Sequence, residues 1–175
     1  MTKAAAVAPI DDLSAAEPRA LNGVRWEALS DRVMGGVSVP SLRREAVAGR
    51  PAQRLTGAVR LENNGGFLQM ALDLDPSGGP IDASAWTGLR LMVFGNDEEY
   101  GLHLRTDAVE RPWQSYRQSF TAPPAWTEID LPFSRMTPHR LAAPFDPARL
   151  KRLGLVAIGR EFQADLALGW IGFYR

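Results

Sequence analysis

The run Ser30-Asp31-Arg32-Val33-Met34-Gly35-Gly36-Val37-Ser38 brackets two consecutive glycines with a carboxylate and a hydroxyl, between β-prone residues. Paired glycines permit positive φ or a close backbone approach. One chemistry this allows is a ligand-receiving backbone loop, lined by Met34, Gly35 and Gly36, with Asp31 and Ser38 as polar contacts. The other is a corner in which Asp31 and Ser38 satisfy buried amides, and glycine pairs in β proteins mostly serve such geometry. The run is not a phosphate loop, since it lacks both the GxxxxGK[ST] spacing and a following helix. Downstream, Asn63-Asn64-Gly65-Gly66 has the turn chemistry of a tight hairpin. At the same end of the fold, the two loops would gather Asn64 and Asp31 into one cleft.

A second group is Arg105, Trp113, Gln114, Tyr116 and Arg117, around the polar stretch DAVERPW at residues 107–113. Trp, Tyr and Arg are frequent binding anchors, and they also stack on sugars and bases. Equally, Trp113 could cap the core while Arg105 pairs with an acid. His103 alternates with Leu102 and Leu104 and has no GxSxG partner motif, so a hydrogen-bonded structural histidine is expected. His139 lies in a proline-rich stretch and is expected to be exposed. Asp97-Glu98-Glu99 supplies clustered carboxylates of the kind glycosidases use, but a charged tip between strands is the commoner use of such a run. Arg43, Arg44, Arg50, Arg54 and Arg60, with Glu45 among them, fit the solvated face of an edge hairpin better than a nucleic-acid stripe.

Composition narrows these chemistries. The 175 residues carry 20 basic and 20 acidic groups, so no strong net field draws nucleic acid or an acidic membrane. There are no cysteines and only two histidines, which removes disulfides, thiolate nucleophiles and most histidine-based metal cages. No cofactor loop is present. No apolar run nears the roughly 20 residues of a membrane span, and the start has no sustained apolar signal region. The cytoplasm is the default compartment.

Turn signals recur every eight to twelve residues from Val24 onward, the spacing of an all-β sandwich or barrel. Leu68, Met70, Leu72 and Leu74 alternate, as do Tyr100, Leu102 and Leu104. GLRLMVFG at 88–95 is apolar on both faces and reads as a central strand. About nine or ten short strands result, enough for two packed sheets. Prolines 132, 138, 144 and 147 break any long helix, though Asp146 and Pro147 suit the start of a single turn. Residues 1–20 are Ala-, Asp- and Pro-rich and are expected to be a flexible leader. Residues 21–175 are expected to form one jelly-roll β-sandwich domain.

Trp26, Asp31 to Ser38, Thr56-Gly57 and Asn63-Asn64-Gly65-Gly66-Phe67 stand in an order that resembles the complex I intermediate-associated protein 30 family. The resemblance continues through Tyr100 to Thr106, Trp113 to Arg117, Phe120, Trp126 and Leu131-Pro132-Phe133, spanning roughly residues 22–174. It implies a galactose-binding-like jelly roll. It further implies an accessory or assembly role, in which a respiratory-complex subunit or assembly intermediate is held, with possible peripheral attachment to the inner membrane. An arginine often follows GGF in the family pattern; Gln69-Met70-Ala71 stands there in this chain. A non-catalytic protein-binding module is therefore the leading expectation. Carbohydrate binding is second, with Trp113 and Tyr116 stacking on a sugar and Asp31, Asn64 and Arg105 bonding its hydroxyls. A hydrolase using Asp31 or Glu99 with His103 is third, and requires those groups to meet.

Overall fold

The period-two segments become strands because their apolar sides have one place to go, between two sheets. The computed structural model describes residues 6–175. Twelve strands run β1 (Val7–Asp11), β2 (Glu27–Ser30), β3 (Ser41–Val47), β4 (Arg50–Val59), β5 (Phe67–Asp73) and β6 (Gly88–Phe94), then β7 (Glu98–Thr106), β8 (Ser115–Ala122), β9 (Thr127–Pro132), β10 (Thr137–His139), β11 (Leu150–Ile158) and β12 (Phe162–Tyr174). All pairings are antiparallel. The first sheet has the order β3-β4-β12-β6-β9, with β1 also on β12. The second has the order β10-β8-β7-β11-β5-β2. The architecture is the expected all-β, jelly-roll sandwich.

Leu55, Leu89, Leu91, Leu166 and Leu168 of the first sheet and Leu68, Met70, Leu72, Leu102, Leu104 and Leu155 of the second are fully buried in one core. Each contributes on the order of 1.5–3 kcal/mol by leaving water. GLRLMVFG is central as expected, between β12 and β9. Its outward Phe94 meets the Trp126 ring edge-on at 5.7 Å. Asp146 caps a one-turn 3-10 helix at Pro147–Arg149 by accepting from the Ala148 amide at 3.0 Å.

Three expectations need correction. The leader is not free along its length: Val7–Asp11 pairs with the end of β12, while residues 1–5 lie outside the described part. Asp11 is buried and accepts from the Leu13 amide, the Trp26 indole and the Arg44 guanidinium, at 2.8, 2.8 and 2.5 Å. Those bonds hold a segment whose composition alone gives it no period. His139 is half-buried in β10, opposite Ser115, rather than in an exposed loop. Finally, Asn63-Asn64-Gly65-Gly66 does not close a hairpin, because β4 and β5 belong to different sheets. The run is a corner where the chain crosses the sandwich.

Candidate functional site

The Asp31 run is a second such corner, carrying the chain from β2 in one sheet to β3 in the other. Asp31 opens a 3-10 turn (Asp31–Met34) whose N-cap, Ser30, accepts from the Arg32 amide. Its side chain is wholly buried. One carboxylate oxygen accepts from the Ser38 amide at 2.9 Å, and the other from the Gly66 and Phe67 amides at 2.6 and 3.1 Å and from the Ser38 hydroxyl at 2.5 Å. Ser38 Oγ in turn accepts from the Arg60 amide at 2.8 Å. Asp31 thus clamps both sheet-to-sheet corners. Desolvation alone would push its carboxyl up, but the Ser38, Gly66 and Phe67 bonds outweigh it and hold the pKa below the ordinary 3.8.

The glycines follow from this carboxylate. A Cβ on Gly36 would stand 2.4 Å from an Asp31 oxygen, and one on Gly65 would stand 2.8 Å from its carboxyl carbon. Gly35 ends the turn with φ 86, a left-handed conformation that side chains resist. The Asn63 amide bonds the Gly35 carbonyl at 3.1 Å and joins the corners again from outside. Asn64 is exposed beside it. The expected gathering of the two loops is present, but Asp31 and Ser38 face inward and are sealed from solvent.

What these corners present outward includes a set of apolar side chains beside the exposed Arg32, Glu62, Asn63 and Asn64. Eight large hydrophobic side chains are exposed among the described residues, and Val33, Met34, Val37, Val39 and Leu61 are five of them. Val33 is 73% exposed and Met34 60%. Because Ser38 turns inward to Asp31, its neighbours Val37 and Val39 turn outward. Of these side chains the sequence points to Met34 alone as a contact; the signal for the others is a hydroxyl between two valines, an alternation whose polar member is the buried one.

The second group lies elsewhere. In the second sheet Phe67 pairs with Ile158 at one end of β5, whereas Asp73, Arg152 and Arg105 share a row at the other. Asp31 and Arg105 are therefore separated by about six residues of strand, near 20 Å. Arg105 donates to the carbonyls of Pro112 and Gln114, at 3.2 and 3.4 Å, on either side of Trp113, which is 55% exposed. Gln114 accepts from the Glu110 and Arg111 amides at 3.0 Å each and donates to the Arg140 carbonyl at 3.0 Å. Tyr116 points into the core, with its hydroxyl on the Ala143 carbonyl at 2.9 Å and its ring against Phe145. It offers no face to a sugar.

His103 is on the outward side of β7, directly opposite Arg117 of β8. Desolvation first, then the charges of Arg117 and His139, push its pKa down to about 3. Glu99 shares its face but lies four residues away, about 13 Å along the strand, outside hydrogen-bond reach. Asp31 is occupied at the far corner. The acid–base pairs that a hydrolase would need therefore do not meet. Among the described residues no group of three His, Asp or Glu side chains could hold a metal ion.

The expected arginine-rich edge hairpin is present. β3 is an edge strand, Arg54 pairs with Asp165 and Glu45, and Arg60 pairs with Glu62.

Comparison with known proteins places this geometry. The family described as Complex I intermediate-associated protein 30 matches residues 15–168. Among solved structures, the family 11 carbohydrate-binding module of cellulosomal cellulase Lic26A-Cel5E of Clostridium thermocellum superposes with TM-score 0.73 at 14% identity, covering 98% of this chain and 95% of that one. The same module in complex with a β-1,3-1,4-mixed-linked tetrasaccharide gives 0.74 at 12% identity, covering 98% and 96%. The family 30 module of cellulosomal cellulase Cel9D-Cel44B of Clostridium thermocellum gives 0.57 at 15% identity, covering 77% and 81%. At such identities the likeness is one of fold, the two-sheet β-sandwich. No match was found among curated proteins.

Proposed function

Because the chain belongs to the complex I intermediate-associated protein 30 family, we propose that it is a non-catalytic accessory module that holds a protein partner during assembly of a respiratory, complex I-like assembly. The observation that carries this reading is the apolar crest on a rigid mount. Val33, Met34, Val37, Val39 and Leu61 stay in solvent on two corners that Asp31 locks together. Exposed apolar side chains that cluster on one feature mark an interaction site, and a preformed loop loses little entropy on docking. No helix of the described residues is long and apolar enough to cross a membrane.

The test is an affinity capture from the native cell with the whole protein, alongside the double variant Val33→Asp/Met34→Asp. Recovery of respiratory-complex subunits by the wild type and their loss in the double variant is the expected result. Equal recovery by both, or capture of no respiratory subunit, refutes the reading.

A second reading is saccharide binding. It is supported by the fold shared with carbohydrate-binding modules and by the exposed Trp113 beside Arg105. A glycan array without signal removes it.

A further inference from the structure

The outward face of the second sheet carries charges that the fold leaves unpaired. Reading the register across it, Asp73, Arg152 and Arg105 form one row, continued by Ser115 and His139. Ala71, Gly154, His103, Arg117 and Thr137 form the next. Arg105, His103 and Arg117 are therefore immediate neighbours: residues two apart on one face of a strand lie about 7 Å apart, and directly paired ones about 5 Å. The small residues between them are covered by polar side chains: the Gln69 amide lies over Gly154 and the His103 ring over Gly101.

Arg152 is neutralised by Asp73 at 2.7 Å and by Glu27 at 3.2 Å. Arg105 and Arg117 have no carboxylate partner among the described residues, although both are half-buried. Arg105 gives one nitrogen to the Pro112 and Gln114 carbonyls, and Arg117 gives its Nε to Ser115 Oγ at 2.9 Å. A guanidinium has five N–H donors, so both terminal nitrogens of Arg117 and two nitrogens of Arg105 remain available. Burial, and then the like charges of Arg152 and Arg140 respectively, push both guanidinium pKa values down. The neighbouring His103 stays neutral and offers a polar ring without adding charge. Two preformed forks that lack an anion are a receptor for a planar or tetrahedral oxyanion.

We propose that this face, deepening the saccharide reading, binds an acidic saccharide. Arg105 and Arg117 take its carboxylate or sulfate group, with Ser115 Oγ holding the Arg117 Nε in place, and His103 and Gln69 take neighbouring hydroxyls. Trp113, held by the Arg105 clasp on the carbonyls either side of it, is the aromatic surface at the rim. A sugar ring with one charged substituent needs this combination, because its apolar face stacks on an aromatic while its acid meets a guanidinium. The site is separate from the apolar crest at the Asp31 corners.

The test is calorimetric titration of the whole protein with three probes: trigalacturonate, a sulfated heparin-type tetrasaccharide, and neutral cellotetraose. The two acidic arms distinguish carboxylate from sulfate. The expected result is binding of at least one acidic probe, at least tenfold tighter than cellotetraose and weakened by salt. Arg117→Gln should lower that affinity at least tenfold, and Arg117→Lys should restore only part of it. Amide shift mapping on the wild type should place the contact on β7, β8 and β11, which covers the case of a variant that folds poorly. The double variant Val33→Asp/Met34→Asp should bind the saccharide unchanged, so loss of the protein-capture reading leaves this result standing. Absence of binding by both acidic probes overturns the proposal. So does an affinity indifferent to Arg117, or tighter binding of an oligoglutamate peptide than of either acidic saccharide.

Discussion

Replacing Asp31 with Asn removes one charge and almost no volume, which isolates what the carboxylate does. Its two oxygens accept four hydrogen bonds, from the Ser38, Gly66 and Phe67 amides and the Ser38 hydroxyl. An Asn side chain has one acceptor oxygen, and its NH2 must then face at least one backbone N–H. An orphaned buried donor costs about 1–3 kcal/mol. The surviving bonds fall from charge-assisted to neutral, a loss of about 1 kcal/mol each. With three bonds surviving, the sum is about 4–6 kcal/mol. For a chain of this length it lowers Tm by about 8–24 °C. Urea unfolding followed by tryptophan fluorescence, at constant m, measures the same quantity. The pH dependence is a second check. The folded carboxyl titrates below its ordinary 3.8, so its contribution is complete above the unfolded pKa and declines as pH falls through the folded one. The gap between wild type and Asp31→Asn should therefore be constant from pH 7 to about pH 5 and narrow below about pH 4. A variant within 2 °C of wild type at pH 7 (less than about 1 kcal/mol), or a gap that persists undiminished below the folded pKa, refutes the clamp.

Other outcomes follow from the same structure. Gly36→Ala should destabilise more than Gly35→Ala: the first drives a methyl against an Asp31 oxygen at 2.4 Å, while the second meets only a positive φ with open space around it. The second should cost about 1–2 kcal/mol, and a reversed order in chemical denaturation would contradict the account. Asp11→Ala should cost about 3–5 kcal/mol, because Arg44 is left buried without its carboxylate; a loss under about 1 kcal/mol would show that the β1 segment is not held this way. His103 should stay neutral down to about pH 3, so its imidazole carbon shifts should not move between pH 7 and 4. Its folded pKa lies below the unfolded 6.5, so the unfolded chain binds the proton first and stability falls as pH drops from 6.5 towards 3. His103→Gln should flatten that slope, and an unchanged slope would count against the placement.

The sandwich was legible because alternation is a local property. Leu68, Met70 and Leu72, or Tyr100, Leu102 and Leu104, state their buried side without reference to distant residues. The 3-10 turn at Pro147 was legible for the same reason, since its cap is adjacent to it. What could not be read was anything decided by a partner far along the chain. Val7–Asp11 becomes a strand because β12 offers it an edge and Asp11 finds Trp26 and Arg44. The NNGG run resembles a hairpin turn because Asn and Gly suit both uses; whether it closes a hairpin or crosses the sandwich depends on where β4 and β5 pair. The site divided along the same line. The DRVMGGVS and NNGG loops do adjoin, yet nothing local says which way Asp31 faces. Tyr116 fell on the inner side of its strand and Gln118 with it, while Arg117 between them faces out beside His103.

The two charged centres then argue for different roles. Asp31 is an anion whose acceptors are filled by its own chain, so it is complete without a ligand, and its task is to hold two corners in register. Arg105 and Arg117 are cations with donors left over, on a face where water is partly excluded. The fold does not lack the means to neutralise arginine: among the described residues nine others reach carboxylates, including Arg152 in the row beside them. A half-buried guanidinium without a counter-charge is less stable than a paired one by the desolvation it suffers, and an arriving oxyanion recovers that difference at once. Such a surface gains more from a ligand than a fully paired one does. The corner is complete within its own chain, whereas the uncompensated face is completed only by a ligand.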